Sequence, residues 1–356
     1  MEQERRISVV PFTPELLPAV RGFSESYWKR PTSDAYYAWR YLEPAAFSRM
    51  FVAMRGDECV GTLFALRKTY RLRGAIVPVL EVFDWHALAE MRHAGVGIRL
   101  MRAMMRQPER ILAVGGTGDV HAALPLMGWQ DLDVANAYEL LLGPEPIAER
   151  LERTRKVPRA LTLAVLSPVP RAFFGPRRVA GPAGGTVSVD AKPAADLTGL
   201  FEGELGCDFV QQPDPALLDW LTRSRWSGSW RFVHFRVGGT LRGWAMTRTH
   251  VANHGLQGTI LELFAPRADA ELYRWMVSET ALSLVPEKPL RIVTRSSDPA
   301  LQLALVASGF RHAGVDAPGR SWPRFGPEKP GTMHFSILHS DQPMLPYELD
   351  EAGGRS

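Results

Sequence analysis

Glu90-Met91-Arg92-His93-Ala94-Gly95-Val96-Gly97-Ile98-Arg99-Leu100-Met101 is the stretch on which the fold turns. Ile98, Met101, Met104 and Met105 fall on one side at helical spacing, with Arg99, Arg102 and Arg106 largely opposite, so an amphipathic helix opens here. Upstream, Val77–Phe83 reads as a strand. Gly95 and Gly97, two residues apart just before the helix, let the backbone come close to a ligand. First-turn amides have no intrahelical acceptor, and the helix dipole adds positive potential at the same end. Strand, glycine loop and helix therefore describe an anion site suited to a pyrophosphate.

Working outward, the same grammar occurs twice. Phe51-Val52-Ala53-Met54-Arg55 is matched 181 positions later by Phe232-Val233-His234-Phe235-Arg236. At that offset Leu80-Glu81-Val82-Phe83 meets Leu261-Glu262-Leu263-Phe264, Ile111 meets Ile292, and Gly128-Trp129 meets Gly309-Phe310. Gly61 and Gly243 fall one residue out of step. Matches in order at one offset argue for a duplicated fold. Each copy predicts an early helical stretch (14–22 and 193–205), then a hairpin turning at Gly56-Asp57 or Gly238-Gly239. A further strand, a helix, a strand and a second helix follow. An antiparallel hairpin leading into that alternation predicts an α/β (α+β) architecture, each copy a mixed, mostly antiparallel sheet flanked by helices.

Between the copies, Arg153 to Gly185 is rich in proline and glycine, so it reads as a solvated connector without long regular elements. The expected organisation is a first domain at 1–150, a connector at 151–185, a second domain at 186–345 and a mobile acidic tail at 346–356. A chain of 356 residues accommodates two cores.

Composition narrows the classes. Apolar residues make up 46% and charged residues 22%, ordinary for a globular protein. No apolar run is long enough to span a bilayer, and the N-terminus lacks a signal-peptide pattern, so a cytoplasmic location is expected. Cys59 and Cys207 read as reduced thiols. The net charge of +4 comes with no basic tract interleaved with aromatics, so no nucleic-acid partner is expected. His250 and His254 have a metal-like spacing without a third ligand, and no metal is expected.

Arg92-x-x-Gly95-x-Gly97 resembles the Q/R-x-x-G-x-G/A signature of GNAT (Gcn5-related N-acetyltransferase) acyltransferases. Gly128-Trp129 and Gly309-Phe310 resemble the Gly-Phe that closes the last helix in that family. The resemblance covers roughly 7–140 with the signature and 187–315 without it. It implies two tandem GNAT-like domains using acetyl-CoA or another acyl-CoA as cosubstrate. The amides of Arg92, His93, Ala94, Gly95, Val96 and Gly97 would hold the pyrophosphate, with Thr117 at the position where many members have asparagine. Pantetheine would enter where neighbouring parallel strands splay apart, and an amine would attack from the other side. The chain departs from the pattern at Ala89, often proline in the family, and at Leu124 and Leu305, where a thiolate-protonating tyrosine is common. Asp119, His121 and Tyr138 remain open as acids.

For a base, Glu81 and Asp84 lie on the strand before the loop, with His86 beyond them. Glu262 repeats Glu81 in a copy without the loop, which favours a structural role. In that copy Tyr273, Met276 and Ser278 replace Arg92, Gly95 and Gly97, and Glu271 adds negative charge, so acyl-CoA binding is expected to be lost there. Tyr36, Tyr37, Trp39, Tyr41, Trp220, Trp226 and Trp230 read as packing aromatics. The expected function is an acyl-CoA-dependent N-acyltransferase acting on a small-molecule amine, an amino sugar by analogy with tandem members of the family. A donor on acyl carrier protein or aminoacyl-tRNA, and a non-catalytic binding module, remain open, as does the oligomeric state.

Overall fold

The computed structural model describes residues 7–29, 32–166, 168, 174–223, 229–252, 255–267, 269–321 and 330–339. The first copy runs β1 (Ile7–Pro11), α1 (Leu17–Trp28), α2 (Asp34–Tyr37), β2 (Ser48–Arg55), β3 (Glu58–Leu72), β4 (Ala75–Ala87), α3 (Val96–Met105), β5 (Arg110–Val114), α4 (Gly118–Leu126) and β6 (Gln130–Leu141). Helices α5 (Glu145–Arg155) and α6 (Arg159–Leu166) lead on to the second copy. It comprises β7 (Gly185–Asp190), β8 (Phe209–Gln212), α7 (Pro215–Thr222), β9 (Ser229–Val237), β10 (Thr240–Ala252), β11 (Gly255–Phe264), α8 (Ala270–Leu284), β12 (Arg291–Ser296), α9 (Pro299–Ala307), β13 (Arg311–Ser321) and β14 (Met333–His334).

These strands form one fourteen-stranded sheet ordered β1-β2-β3-β4-β5-β13-β6-β12-β11-β10-β9-β7, with β8 and β14 off that path. Only β4–β5, β11–β12 and β8–β14 pair in parallel among the described strands. Both hairpin turns stand where expected, with Gly56, Gly238 and Gly239 at φ 61°, 58° and 84°. At the centre of the sheet the copies exchange their last strands. Strand β13 pairs with β5 of the first copy, and β6 pairs with β12 of the second. Neither copy can cover its parallel edge strand without the other.

Three of the four core clusters among the described residues show how the copies pack. Leu80, Val82, Ile111 and Ala113 pack under Val96, Leu100 and Met104 of α3 and Leu124 of α4. Ile260, Leu263 and Ile292 pack under Met276, Val277 and Ala281 of α8 and Leu305 of α9. A third cluster is shared, with Phe23, Tyr37, Trp39 and Phe83 meeting Trp220, Phe232, Trp244 and Leu261. Within it Trp39 and Trp220 stack with centroids 5.0 Å apart and rings 18° from parallel. Each indole Nε1–H donates to the other residue's carbonyl, at 3.0 and 2.9 Å. The two tryptophans are 181 positions apart, the offset of the repeat, so they mark the local two-fold between the copies.

Two local expectations change. Residues 193–205 hold only a 3-10 turn, Leu197–Phe201, because glycine at 199 and Gly203 (φ 90°) favour unwinding. The connector contains α5 to Arg155 and all of α6. Pro158 flanks α6 instead of interrupting it, its carbonyl accepting from the amides of Leu161 and Thr162 at 3.0 and 3.2 Å. Farther along, Val179 packs against the second core and its N–H donates to Ser278 Oγ at 3.1 Å, so that part is docked and not free in solvent. Residues 346–356, His254 and Trp226 lie outside the described residues.

Candidate functional site

Strand β4 carries a bulge that shapes the site. Thr62 of β3 faces His86 and Phe64 faces Phe83, so Asp84 and Trp85 together oppose Leu63. Asp84 takes φ 46° there, an unusual value for a non-glycine residue in a strand. The parallel pairing of β4 with β5 spans only Val79–Arg110 to Val82–Ala113. Beyond it the strands part, β4 turning through the bulge and β5 running into Gly115 and Gly116 at φ 89° and 123°. A Cβ on Gly116 would lie 2.8 Å from Val120 Cγ1, so that turn is restricted to glycine.

The expected loop lies beside this opening. After a 3-10 turn at Ala89–Ala94, which contains the backbone of Arg92 and the exposed His93, Gly95 takes φ 65° and caps α3 without any side-chain hydrogen bond. Val96 is buried against the sheet and opens the helix, leaving the amide donors of its first turn without an intrahelical acceptor. Trp85 Nε1 donates to the Gly97 carbonyl at 2.9 Å, and a Cβ on Gly97 would stand 3.2 Å from that nitrogen. The bulge and the loop are thus tied through one indole. Thr117 is exposed at the N-cap of α4, after Gly115 and Gly116. The side chain of Arg92 lies outside the described atoms.

The carboxylates on β4 are held in different ways. Glu81 is fully buried, 2.7 Å from Lys68 Nζ and accepting from Tyr70 Oη at 2.9 Å. Burial raises its pKa, outweighing the Lys68 charge and both hydrogen bonds. Asp84 is gripped by Arg40, whose Nη2 lies 2.8 and 2.7 Å from the two oxygens and whose Nε lies 3.0 Å from Oδ2; Tyr41 Oη donates at 3.2 Å. Burial pushes the Asp84 pKa up, but Arg40 together with His86 and these hydrogen bonds brings it below the usual carboxylate value. His86 Nε2 lies 4.0 Å from Asp84 Oδ1, and its ring stands 4.7 Å from Tyr27 and 5.0 Å from Trp28. Sequence reasoning missed Arg40, Trp85 and this aromatic collar, because contacts over 44 residues leave no periodic trace. Of the candidate acids, Tyr138 packs into the second core, while Asp119 and His121 lie on α4; Leu124, where the family tyrosine is missing, packs into the first core.

The second copy answers each feature with a closed one. Helix α8 starts at Ala270, the position equivalent to Ala89, so helix replaces the loop. Asp269 caps it, its carboxylate accepting from the Leu272 amide at 2.7 Å. Met276, equivalent to Gly95, lies on Gly243, where an added Cβ would meet its Cε at 2.5 Å. The opening between β11 and β12, whose pairing stops at Thr259–Val293, is filled by the chain's own 333–339 segment. Phe335 exchanges bonds with Ser297 (N to Oγ 2.8 Å, Ser297 N to Phe335 O 3.1 Å). Glu262 receives His334 at 2.7 Å and Ser336 Oγ at 2.9 Å, and Lys68 Nζ donates to the Leu338 carbonyl at 2.9 Å. Burial lowers the His334 pKa, yet Glu262 and Asp298 outweigh it and raise the value to about 10.

A mixed, mostly antiparallel sheet flanked by helices is the GNAT fold, present here in tandem. Residues 11–111 match the family model described as an acetyltransferase (GNAT) domain. Among solved structures, a GCN5-related N-acetyltransferase from Anabaena variabilis matches with a TM-score of 0.59 at 13% identity, covering 89% of this chain and 72% of that one. Saccharomyces cerevisiae N-myristoyltransferase with bound myristoyl-CoA gives 0.58 at 11% identity, covering 91% and 84%. A tandem GNAT protein from the clavulanic acid biosynthesis pathway gives 0.52 at 14% identity, covering 91% and 100%. No curated protein matches the sequence. Among the described residues no helix is long and apolar enough to cross a membrane, and no group of three or more His, Cys, Asp or Glu is placed to hold a metal.

Proposed function

We propose that the chain is an acyl-CoA-dependent N-acyltransferase, with an acetyl or other short acyl group passing to a primary amine in a ternary complex. The observation that carries this reading is the glycine-capped start of α3 beside the split of β4 from β5. Backbone amides from Arg92, His93, Ala94, Gly95, Val96 and Gly97 would bind the pyrophosphate, with the helix dipole favouring its charge. Thr117 would stand beside the pantetheine arm in the split.

Attack by the neutral amine forms the C–N bond, and collapse of the adduct breaks the C–S bond. Glu81 and Asp84 are both paired with cations, so the proton passes to His86, which lies 4.0 Å from Asp84 and is the most open of the three. Leu124 has no proton to give, so the departing thiolate is protonated from solvent. The second copy serves as a support whose own split is filled. The reaction would take place in the cytoplasm, where acyl-CoA is found.

Calorimetry with acetyl-CoA and longer acyl-CoAs tests the reading. Binding is expected in the native chain and is expected to weaken about a hundredfold in Gly95→Glu, whose carboxylate would sit against the phosphate. If none of these thioesters binds the native chain, the reading is wrong.

A further inference from the structure

We propose that the chain carries a further ligand site, separate from both splits, for a small organic acid with a carboxylate or phosphate headgroup on an apolar body. A cavity of ≈ 430 Å³ lies beside helix α5, where the end of β6 meets the starts of β11, β12 and β13. In the sheet order β13 and β6 separate β5 from β12. The cavity adjoins the Gln257–Arg291 end of the β11–β12 pairing, whereas the filled split lies beyond Thr259–Val293. Volumes of about 300–1,000 Å³ are usual for small-molecule sites, which form preferentially where domains meet.

Four guanidiniums line it against two carboxylates: Arg150, Arg153, Arg291 and Arg311 against Glu139 and Glu149. Glu139 is shared, its Oε1 lying 3.6 Å from Arg150 Nη1 and 3.5 Å from Arg311 Nε. Both distances exceed the about 2.7–2.9 Å of a charge-assisted hydrogen bond, and one carboxylate cannot neutralise two cations. The side chains of Arg150 and Arg311 are 66% and 48% exposed, so their planar forks can turn to an incoming oxyanion. Arg291 is fixed in place, its Nε donating to Gln257 Oε1 at 2.9 Å. His250, opposite Gln257 on β10, feels the same excess of positive charge. Burial, followed by the charges of Arg248 and Arg291, pushes its pKa down to about 3.

Much of the remaining wall is apolar. Leu141 is buried there, and Ile147, Leu256 and Leu290 are half-buried. A bare inorganic ion would leave this wall in contact with water, while an acid with a hydrocarbon body would cover it. Such a ligand, reaching Arg150 of α5, Arg291 of β12 and Arg311 of β13 together, would hold the connector helix on the strands where the copies meet.

Calorimetry on the full chain at physiological ionic strength tests the site with phenylbutyrate and phenyl phosphate, each compared with its bare ion, acetate or inorganic phosphate. The two compounds also distinguish the headgroups. One equivalent of at least one of them is expected to bind, at least about tenfold more tightly than its bare ion. Arg150→Gln and Arg311→Gln, made singly so that Glu139 keeps one cation, are each expected to weaken that binding by about tenfold. Melting of the unliganded variants checks their folding. Gly95→Glu, beside the β4–β5 split, is expected to leave the affinity unchanged. Binding no tighter than that of the bare ion overturns the proposal, as does unaltered affinity in either arginine variant or loss of binding in Gly95→Glu. None of these outcomes depends on acyl transfer, so a failure here leaves the N-acyltransferase reading standing.

Discussion

Helices α3 and α8 are built from equivalent stretches of one repeat and end in opposite states. Gly95 leaves the start of α3 without a side-chain cap, beside the point where the pairing of β4 with β5 ends. Asp269 caps α8 about two turns earlier in the repeat, Met276 occupies the space over Gly243, and the chain's own 333–339 segment fills the split. A phosphate and a capping carboxylate compete for the same amide donors. The second copy satisfies its own helix start from within the chain. The difference shows that a duplicated fold keeps packing positions while the ligand-facing backbone is free to change.

Separating the copies is the most severe test of that comparison. A chain of residues 1–150 lacks β13 against β5 and any partner for the far end of β6. It is expected not to fold cooperatively, which circular dichroism and thermal melting would show; a stable, two-state fragment would break the idea of mutual completion. Next comes the shared centre. Trp39→Ala is expected to cost about 3–5 kcal/mol in urea unfolding, since it leaves a cavity and an unpaired carbonyl on Trp220. Trp220→Ala should cost a similar amount, and the double variant should lose less than the sum.

The filled split predicts a pH dependence. His334 has a raised pKa of about 10, above the value near 6.5 of an unfolded chain. Its contribution is therefore complete below about pH 6.5 and declines as pH rises through 10. Stability is expected to fall by a few kcal/mol on the alkaline side, with His334→Gln showing a flatter profile in the same range. An unchanged slope in that variant would remove His334 from the explanation. At the open helix start, Gly95→Glu should weaken acyl-CoA affinity by about a hundredfold in calorimetry, close to 2.7 kcal/mol. The smallest effect is expected at the closed start. Asp269→Ala should cost about 1 kcal/mol of stability for the lost cap and create no acyl-CoA binding.

Much of the fold was legible because it is written in local chemistry. Alternating apolar residues around Gly56-Asp57 and Gly238-Gly239 give the hairpins, and glycines at 95 and 97 before an apolar helical face give the loop. The same comparison located the failure at Met276. The candidate site was legible only in part. Glu81 is conspicuous in an apolar strand, but nothing nearby announces that Lys68 and Tyr70 close over it. Asp84 looks like a free carboxylate until Arg40, 44 residues earlier, grips it. Trp39 and Trp220 read as ordinary packing aromatics, although their spacing equals the repeat offset.

The sequence by itself determined the duplication, the hairpin turns and the place where one copy offers backbone amides that the other hides. These follow from spacing and from the backbone freedom of glycine, which act over a few residues. Only the tertiary structure decided that β6 and β13 change places, that 333–339 lies in the second split, and that Asp84 stands between Arg40 and His86. Strands of similar pattern can pair with either sheet edge, and a buried charge takes its partner from wherever the packed core brings one. Both choices are made by the free energy of the whole assembly and not by any single segment.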